Sequence, residues 1–460
     1  MDKMYVRKNG WENIKAETKK EIMDFCEGYK DYLNNGKTER LCCENTIKIA
    51  RENGFKSLDE FETLTAGDKV YVENKGKGVM LAVIGTEPIS KGINLVAAHM
   101  DAPRLDLKQN PLYEDTELAL FKTHYYGGIK KYQWTAVPLE IHGVLINGKG
   151  EKITVSIGAD ENDPVFCVTD LLPHLADNQM KKTGRELIDG ENLNVLIGSI
   201  CGDKEKDKVK NAVMDIIYDK YGIVEEDFIS GEIEVVPAGK ARDVGFDRSL
   251  IGAYGQDDRV CSYTALKGIM ETEKPQKTAV CLLVDKEEIG SMGNTGMRSA
   301  FFQDTLAVMI SMTCDYNDLL IRKALANSIC LSADVGAAVD PNYKEVYEIN
   351  NSPLLNYGVL ITKYTGSRGK GGSNDASAEL VGFVRNLFNK NDVNWQIGEL
   401  GKVDAGGGGT VAQYVANLNV ETIDCGVPVL SMHSPFEITS KLDVYMTYKA
   451  YKAFYNCERN

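Results

Sequence analysis

Two of the five histidines in this sequence close apolar runs and stand beside acidic neighbours or matching acidic positions. His99 follows residues 93–98 and opens His99-Met100-Asp101, and His433 closes residues 427–432. Asp257 sits in Gly255-Gln256-Asp257-Asp258-Arg259 ahead of a helical pattern. Glu287 and Glu288 follow the apolar residues 280–284, and Asp334 ends residues 329–333. Each places a polar group at a strand end or adjoining loop, where open α/β sheets put their ligand sites. Each also has a plain structural explanation. A strand-end histidine is commonly packed or at the surface, Asp257-Asp258 could cap the following helix, Glu287-Glu288 could be an exposed turn, and Asp334 could begin one. His, Asp, Glu, Asp and His recurring at five such ends are harder to assign to chance.

These residue types suit a pair of divalent metal ions. Such a pair needs one bridging carboxylate, then a nitrogen and an oxygen ligand for each ion. Two ions roughly 3.5–4 Å apart can activate a water between them. Adjacent glutamates allow Glu288 to sit on a metal while Glu287 accepts the water proton. Asp101, two residues after His99, could orient the imidazole. Zinc is the expected metal, and the same ligands also accept cobalt or manganese.

Other motifs are weaker. Gly366-Ser367-Arg368-Gly369-Lys370-Gly371-Gly372-Ser373 superficially resembles a phosphate loop but fails its G-x-x-x-x-G-K-[ST] spacing. It is read as a loop on the substrate side. Asp404-Ala405-Gly406-Gly407-Gly408-Gly409-Thr410 lacks a dinucleotide fingerprint; Gly408 and Gly409 could let backbone approach a peptide closely. No G-x-S-x-G element marks a serine nucleophile.

The elements that must carry these residues follow from periodicity. Helices are predicted over residues 11–32 and from Thr38 to the stop at Gly54, then a hairpin over residues 69–85 around Gly76 and Gly78. Residues 93–98 read as a buried parallel strand. Between about 104 and 239 short alternating stretches (118–126, 137–146, 152–157) predict an antiparallel β module, with helical patches near 170–180 and 209–221. Afterwards helix and strand alternate. Helices are predicted at 259–270, 303–324, 373–389 and 440–454, and strands at 278–284, 328–333 and 421–430. One α/β domain, residues 1–103 and 240–460, is interrupted by a β-rich insert over 104–239.

Composition narrows the function classes. Hydrophobic residues at 43% and charged residues at 26% are ordinary for a globular chain. A net charge of −14 argues against a general nucleic-acid binder. No apolar run approaches the roughly 20 residues that span a bilayer. Residues 1–9 lack a signal-peptide pattern, and the 11 cysteines form neither a zinc knot nor a disulfide framework. A reducing, cytoplasmic setting is the expectation.

Ala97-Ala98-His99-Met100-Asp101-Ala102-Pro103, Gly255-Gln256-Asp257-Asp258-Arg259, Asp285-Lys286-Glu287-Glu288-Ile289-Gly290-Ser291, Ser332-Ala333-Asp334-Val335 and Ser431-Met432-His433-Ser434 together resemble the signature set of the aspartyl aminopeptidase and aminopeptidase I family. Order and spacing match over nearly the whole chain. The resemblance implies a three-layer mixed-sheet zinc-peptidase domain with an inserted β-rich dimerisation domain. It implies that Asp257 bridges two metals, with His99 and Asp334 completing one ion and Glu288 and His433 the other. Glu287 would be the general base and Asp101 its supporting acid. His174, in Leu171-Leu172-Pro173-His174-Leu175-Ala176, would reach a neighbouring subunit's active site in a dodecamer built from dimers. Without the resemblance, His174 reads as an ordinary helix-start histidine. Acid-selective relatives carry a basic residue in the S1 region, and Lys363 is the nearest counterpart. The segment after it departs from their pattern, so acidic and neutral (leucine-type) N-terminal residues both stay open. The expected activity is removal of N-terminal residues from peptides. Two alternatives are a deacylase or carboxypeptidase on the same metals, and a non-catalytic assembly or cargo protein on a peptidase scaffold.

Overall fold

The structure, a computed structural model, describes residues 4–12 and 14–459. Contacts divide the described residues into two units: those within 4–101, 241–432 and 436–459 form the first, and 102–240 with 433–435 the second.

In the first unit, nine strands of the described residues form one mixed sheet. Its order is Lys56–Ser57, Lys69–Asn74, Gly78–Val83, Thr278–Val284, Ile93–His99, Ile329–Ser332, Glu421–Gly426, Val359–Thr362 and Trp395–Ile397. The middle is parallel: Thr278–Val284, Ile329–Ser332 and Glu421–Gly426 all run with Ile93–His99. These strands are continuous apolar runs because both of their faces are covered. One face packs a core that includes Tyr29, Tyr32, Leu266, Val384 and Phe454. The other packs Leu95, Phe302, Leu306 and Val415. This is the three-layer α/β arrangement expected.

Several elements differ from the pattern reading in instructive ways. The first helix runs over Ala16–Asn35 instead of residues 11–32, and Asn13 lies outside the described residues. The helix expected over 303–324 is two, Phe301–Ser311 and Asp318–Ala326, the second capped by Asn317 accepting from Leu319 N at 3.1 Å. The helix expected from 373 starts at Ala378, where Ser377 Oγ accepts from Leu380 N. The run 421–430 also splits. Glu421–Gly426 stays in the large sheet, while Pro428–Leu430 joins a second sheet beside Glu437–Ser440. Pro428 has no N–H to continue a central ladder.

In the second unit, seven described strands pair antiparallel in the order Lys152–Ile157, Leu139–Ile146, Glu232–Pro237, Arg104–Asp115, Leu118–Tyr126, Val195–Gly198 and Cys167–Val168. Helix Lys208–Tyr221 accompanies them. The helix expected over 170–180 is only a single turn, Pro173–Leu175. Leu171, Leu172 and Leu175 are exposed. Short helices need a packed apolar face to be stable, and these leucines have none within the unit. Among the described residues no helix is long and apolar enough to cross a membrane.

Candidate metal centre

His99 ends the buried strand Ile93–His99, and its ring is 1% exposed. Its Nδ1 lies 3.0 Å from Asp101 O and 3.3 Å from Asp101 Oδ1. Nε2 faces the other way, 3.3 Å from Asp257 Oδ1 and 3.9 Å from Asp334 Oδ1. With Nδ1 engaged by Asp101, Nε2 is the nitrogen presented for ligation.

The strand end is clamped from behind by helix Gln256–Met270. Ser262 Oγ donates to His99 O at 2.7 Å, Arg259 Nε donates to Met100 O at 3.1 Å, and His99 N donates to Asp258 Oδ2 at 3.3 Å. Asp257 is fixed by its own N–H, which donates to Glu437 Oε2 at 3.0 Å. Gln256 Nε2 donates to Ile251 O and Glu437 O at 3.1 and 2.7 Å. Residues 256–262 are buried throughout, so these bonds hold in a dry setting.

Glu287 and Glu288 open a single 3-10 turn, Glu287–Ile289, bounded by Lys286 and Gly290 at φ of 67° and 94°. Asp101 sets this turn: its Oδ1 accepts from Glu287 N at 3.1 Å and its Oδ2 from Glu288 N at 3.2 Å. Asp334 follows strand Ile329–Ser332. Gly426 packs so closely there that a Cβ would lie 1.9 Å from Asp334 O.

Ligand atoms of His99, Asp257 and Glu288 lie within 4.8 Å of one another, as do those of His99, Asp258 and Asp334. This donor set of one imidazole and several carboxylates fits divalent metal ions. Asp258 is buried beside this set, its Oδ2 accepting from His99 N and its carboxylate next to the Cys261 thiol. Electrostatics agree. Burial, then the neighbouring carboxylates, push Asp334 well above the usual carboxylate range, and burial is also the largest cause for Asp258. Burial alone would lower His99, but its hydrogen bonds to Asp101 and Asp257 raise it overall.

Four expected residues, His99, Asp257, Glu288 and Asp334, thus converge, with Asp101 beneath them. Asp258, Ser262, Arg259 and Glu437 were not singled out from sequence. The doubled acid at 257–258 was the available signal for Asp258, and it reads equally as a helix cap. His433 falls in the second unit's contacts, with Nδ1 2.9 Å from Gly128 O. His174 lies on the exposed turn Pro173–Leu175 of that unit.

Lys363 follows a strand of the opposite direction. Strand Val359–Thr362 is antiparallel to Glu421–Gly426, with Leu360 opposite Gly426 and Thr362 opposite Asp424. It therefore runs away from the edge where Ile93–His99 ends, and Lys363 leaves the sheet in that direction. Its Nζ is 2.6 Å from Asp375 Oδ1. Gly408 lies with the segment that follows, its O accepting from Gly366 N at 2.7 Å, and a Cβ on Gly409 would meet Gln413 Nε2 at 2.9 Å.

Residues 32–455 match the family model described as Aminopeptidase I zinc metalloprotease (M18). A probable M18 family aminopeptidase 1 of Clostridium acetobutylicum is 51% identical over 455 residues, covering 98% of each chain. The crystal structure of an M18-family aminopeptidase from Thermotoga maritima superposes with a TM-score of 0.95 at 47% identity, covering 98% of this chain and 100% of that one. The S. cerevisiae mApe1 dodecamer, 21% identical with 95% and 97% covered, shares the fold at a TM-score of 0.76.

Proposed function

The chain belongs to the aminopeptidase I zinc metalloprotease family (M18), and we propose that it removes N-terminal residues from peptides at a centre for two divalent ions. The observation that carries this is the convergence of His99 Nε2 with Asp257, Glu288 and Asp334. These residues and His433 would hold the ions, Asp257 being shared, with zinc the first choice and cobalt or manganese compatible. When bound, such ions supply Lewis acidity to the scissile carbonyl and the attacking water.

Glu287 is the general base in this proposal. It takes a proton from the water and returns it to the departing amine. Asp101 makes that division workable: by holding the N–H groups of Glu287 and Glu288 it fixes the base and the ligand in one register. Asp258, Arg259 and Ser262 anchor the backbone on which His99 is carried.

Residues 104–239 would serve dimerisation, and the assembly would be a dodecamer built from dimers. His174 would help stabilise the tetrahedral intermediate in a neighbouring subunit. Its support is the exposed apolar setting of Leu171, Leu172, Leu175 and Met180, a surface that suits burial against another protein. Lys363 is left out of the site within one chain. Its ammonium is already held by Asp375, and its strand runs in the direction opposite to Ile93–His99.

The test is chelator-sensitive release of N-terminal residues from a panel of aminoacyl reporters, with several divalent metals. Release from N-acylated or C-terminal substrates in place of free N-termini would favour the deacylase or carboxypeptidase alternative. No metal-dependent release of any kind would leave the non-catalytic scaffold. For His174, subunits carrying His174→Ala are mixed with subunits carrying Glu287→Gln under exchange. Recovered activity supports sharing across the interface, and its absence counts against it.

A further inference from the structure

The glycine-rich basic segment 366–373 takes no part in the centre described above. Its neck is closed by the Tyr364–Asp375 bridge and by Ala376 N donating to Lys363 O at 2.9 Å. Ser367 and Gly371 exchange backbone hydrogen bonds of 3.3 and 3.1 Å across its base. Arg368 and Lys370 at its tip are left-handed, with φ of 50° and 63°. A second glycine segment packs against it: a Cβ on Gly407 would lie 2.2 Å from Gly366 O.

Between the two segments lies a cavity of about 370 Å³ lined by Arg368, Lys370 and Lys402. Glu399 also lines it, but Tyr364 Oη donates to that carboxylate at 2.5 Å. Lys370 Nζ sits 3.8 Å from the Tyr364 ring centroid and 2.8 Å from Asp375 Oδ2. In a chain of net charge −14, the charged residues that line it are Arg368, Lys370 and Lys402 against Glu399, with Asp375 holding Lys370 from outside. Gly366, Gly369, Gly401 and Gly406 line the same cavity and leave its walls free of side-chain bulk.

We propose that this cavity binds a small oxyanion carrying two or more negative charges, with Arg368 and Lys402 as its principal contacts. A guanidinium offers paired N–H donors that match two oxygens of a phosphate or carboxylate, and an ammonium adds a mobile point charge. The shared chemistry covers a phosphate-bearing molecule and a polycarboxylate.

The experiment is calorimetric titration of the metal-loaded full chain with inorganic phosphate and, separately, with citrate. Wild type is compared with Arg368→Ala/Lys402→Ala, and with each single variant should the double one fail to fold. Saturable binding weakened at least tenfold in the double variant, or several-fold in a single variant, at unchanged metal content supports the site. Phosphate binding alone would assign a phosphate-bearing ligand, and citrate binding alone a polycarboxylate. The proposal is overturned if neither anion binds saturably. It is equally overturned if the variants bind as tightly as wild type, which would place the anion at the metal centre.

Discussion

The carboxylate of Asp101 holds the backbone N–H groups of Glu287 and Glu288, at 3.1 and 3.2 Å, while its Oδ1 also stands 3.3 Å from His99 Nδ1. One side chain therefore sets the orientation of the imidazole and of the turn bearing both glutamates. Asp101→Asn keeps the volume but turns an NH2 toward an N–H. Metal affinity should fall about 10- to 100-fold, as for other residues supporting a ligand. Metal content after dialysis against graded chelator measures this; unchanged retention and turnover would remove Asp101 from the centre.

Glu287→Gln should behave differently. In the proposed centre Glu287 is not a ligand, so metal content should be unchanged, while turnover should fall by roughly 10²–10⁴ for loss of a general base. Steady-state kinetics alongside metal analysis separate the two effects. Near-wild-type kcat would show that another group takes the proton.

Gly426→Ala introduces a Cβ where Asp334 O would be 1.9 Å away. The backbone must move, at a cost of about 1–3 kcal/mol for overpacking. A lowered melting temperature together with weakened metal retention is expected. A fall in melting temperature with metal retention unaltered would mean that the strain is relieved away from Asp334.

Asp443 gives a pH dependence that involves none of the proposed metal ligands. It is fully buried and accepts from Asn356 N and Gly358 N, both at 2.7 Å, yet burial still pushes its carboxyl up to about 8. A folded value above the unfolded one, about 3.9, means the folded state holds the proton more tightly. The associated stability is present in full below about pH 4 and is lost as pH rises through the folded value. Urea unfolding between pH 5 and 9 should show stability declining, and Asp443→Asn should flatten that slope. An equal slope in the variant would assign the dependence to other groups.

For substrate choice, Lys363→Ala should leave the ratio of kcat/KM for leucyl and aspartyl reporters within about threefold, well under the 2 kcal/mol or so a direct charge-assisted contact contributes. A large selective loss with the aspartyl reporter would instead place Lys363 in the substrate pocket, reached from another subunit.

Much of the architecture was legible before the fold. Buried parallel strands read as unbroken apolar runs, so the ends expected at Ala98, Val284 and Ala333 fall within one residue of those observed, and the alternating texture marked the β-rich segment. Boundaries were less legible where packing decides them. Residues 170–180 carry a helical pattern but find no partner surface within their unit, and residues 421–430 form one apolar run that two sheets share.

By itself, the sequence determined which chemical groups stand at the strand ends, because a polar residue after a fully apolar run is visible without coordinates. It also determined the doubled acids at 257–258 and 287–288. Only tertiary structure decided their parts: Asp258 turns to the His99 backbone, and Asp101 reaches across to a turn 186 residues away. Strand direction was likewise decided there. An apolar run looks the same whichever way it lies in a sheet, so only register shows that Val359–Thr362 runs opposite to its neighbour and carries Lys363 away from His99.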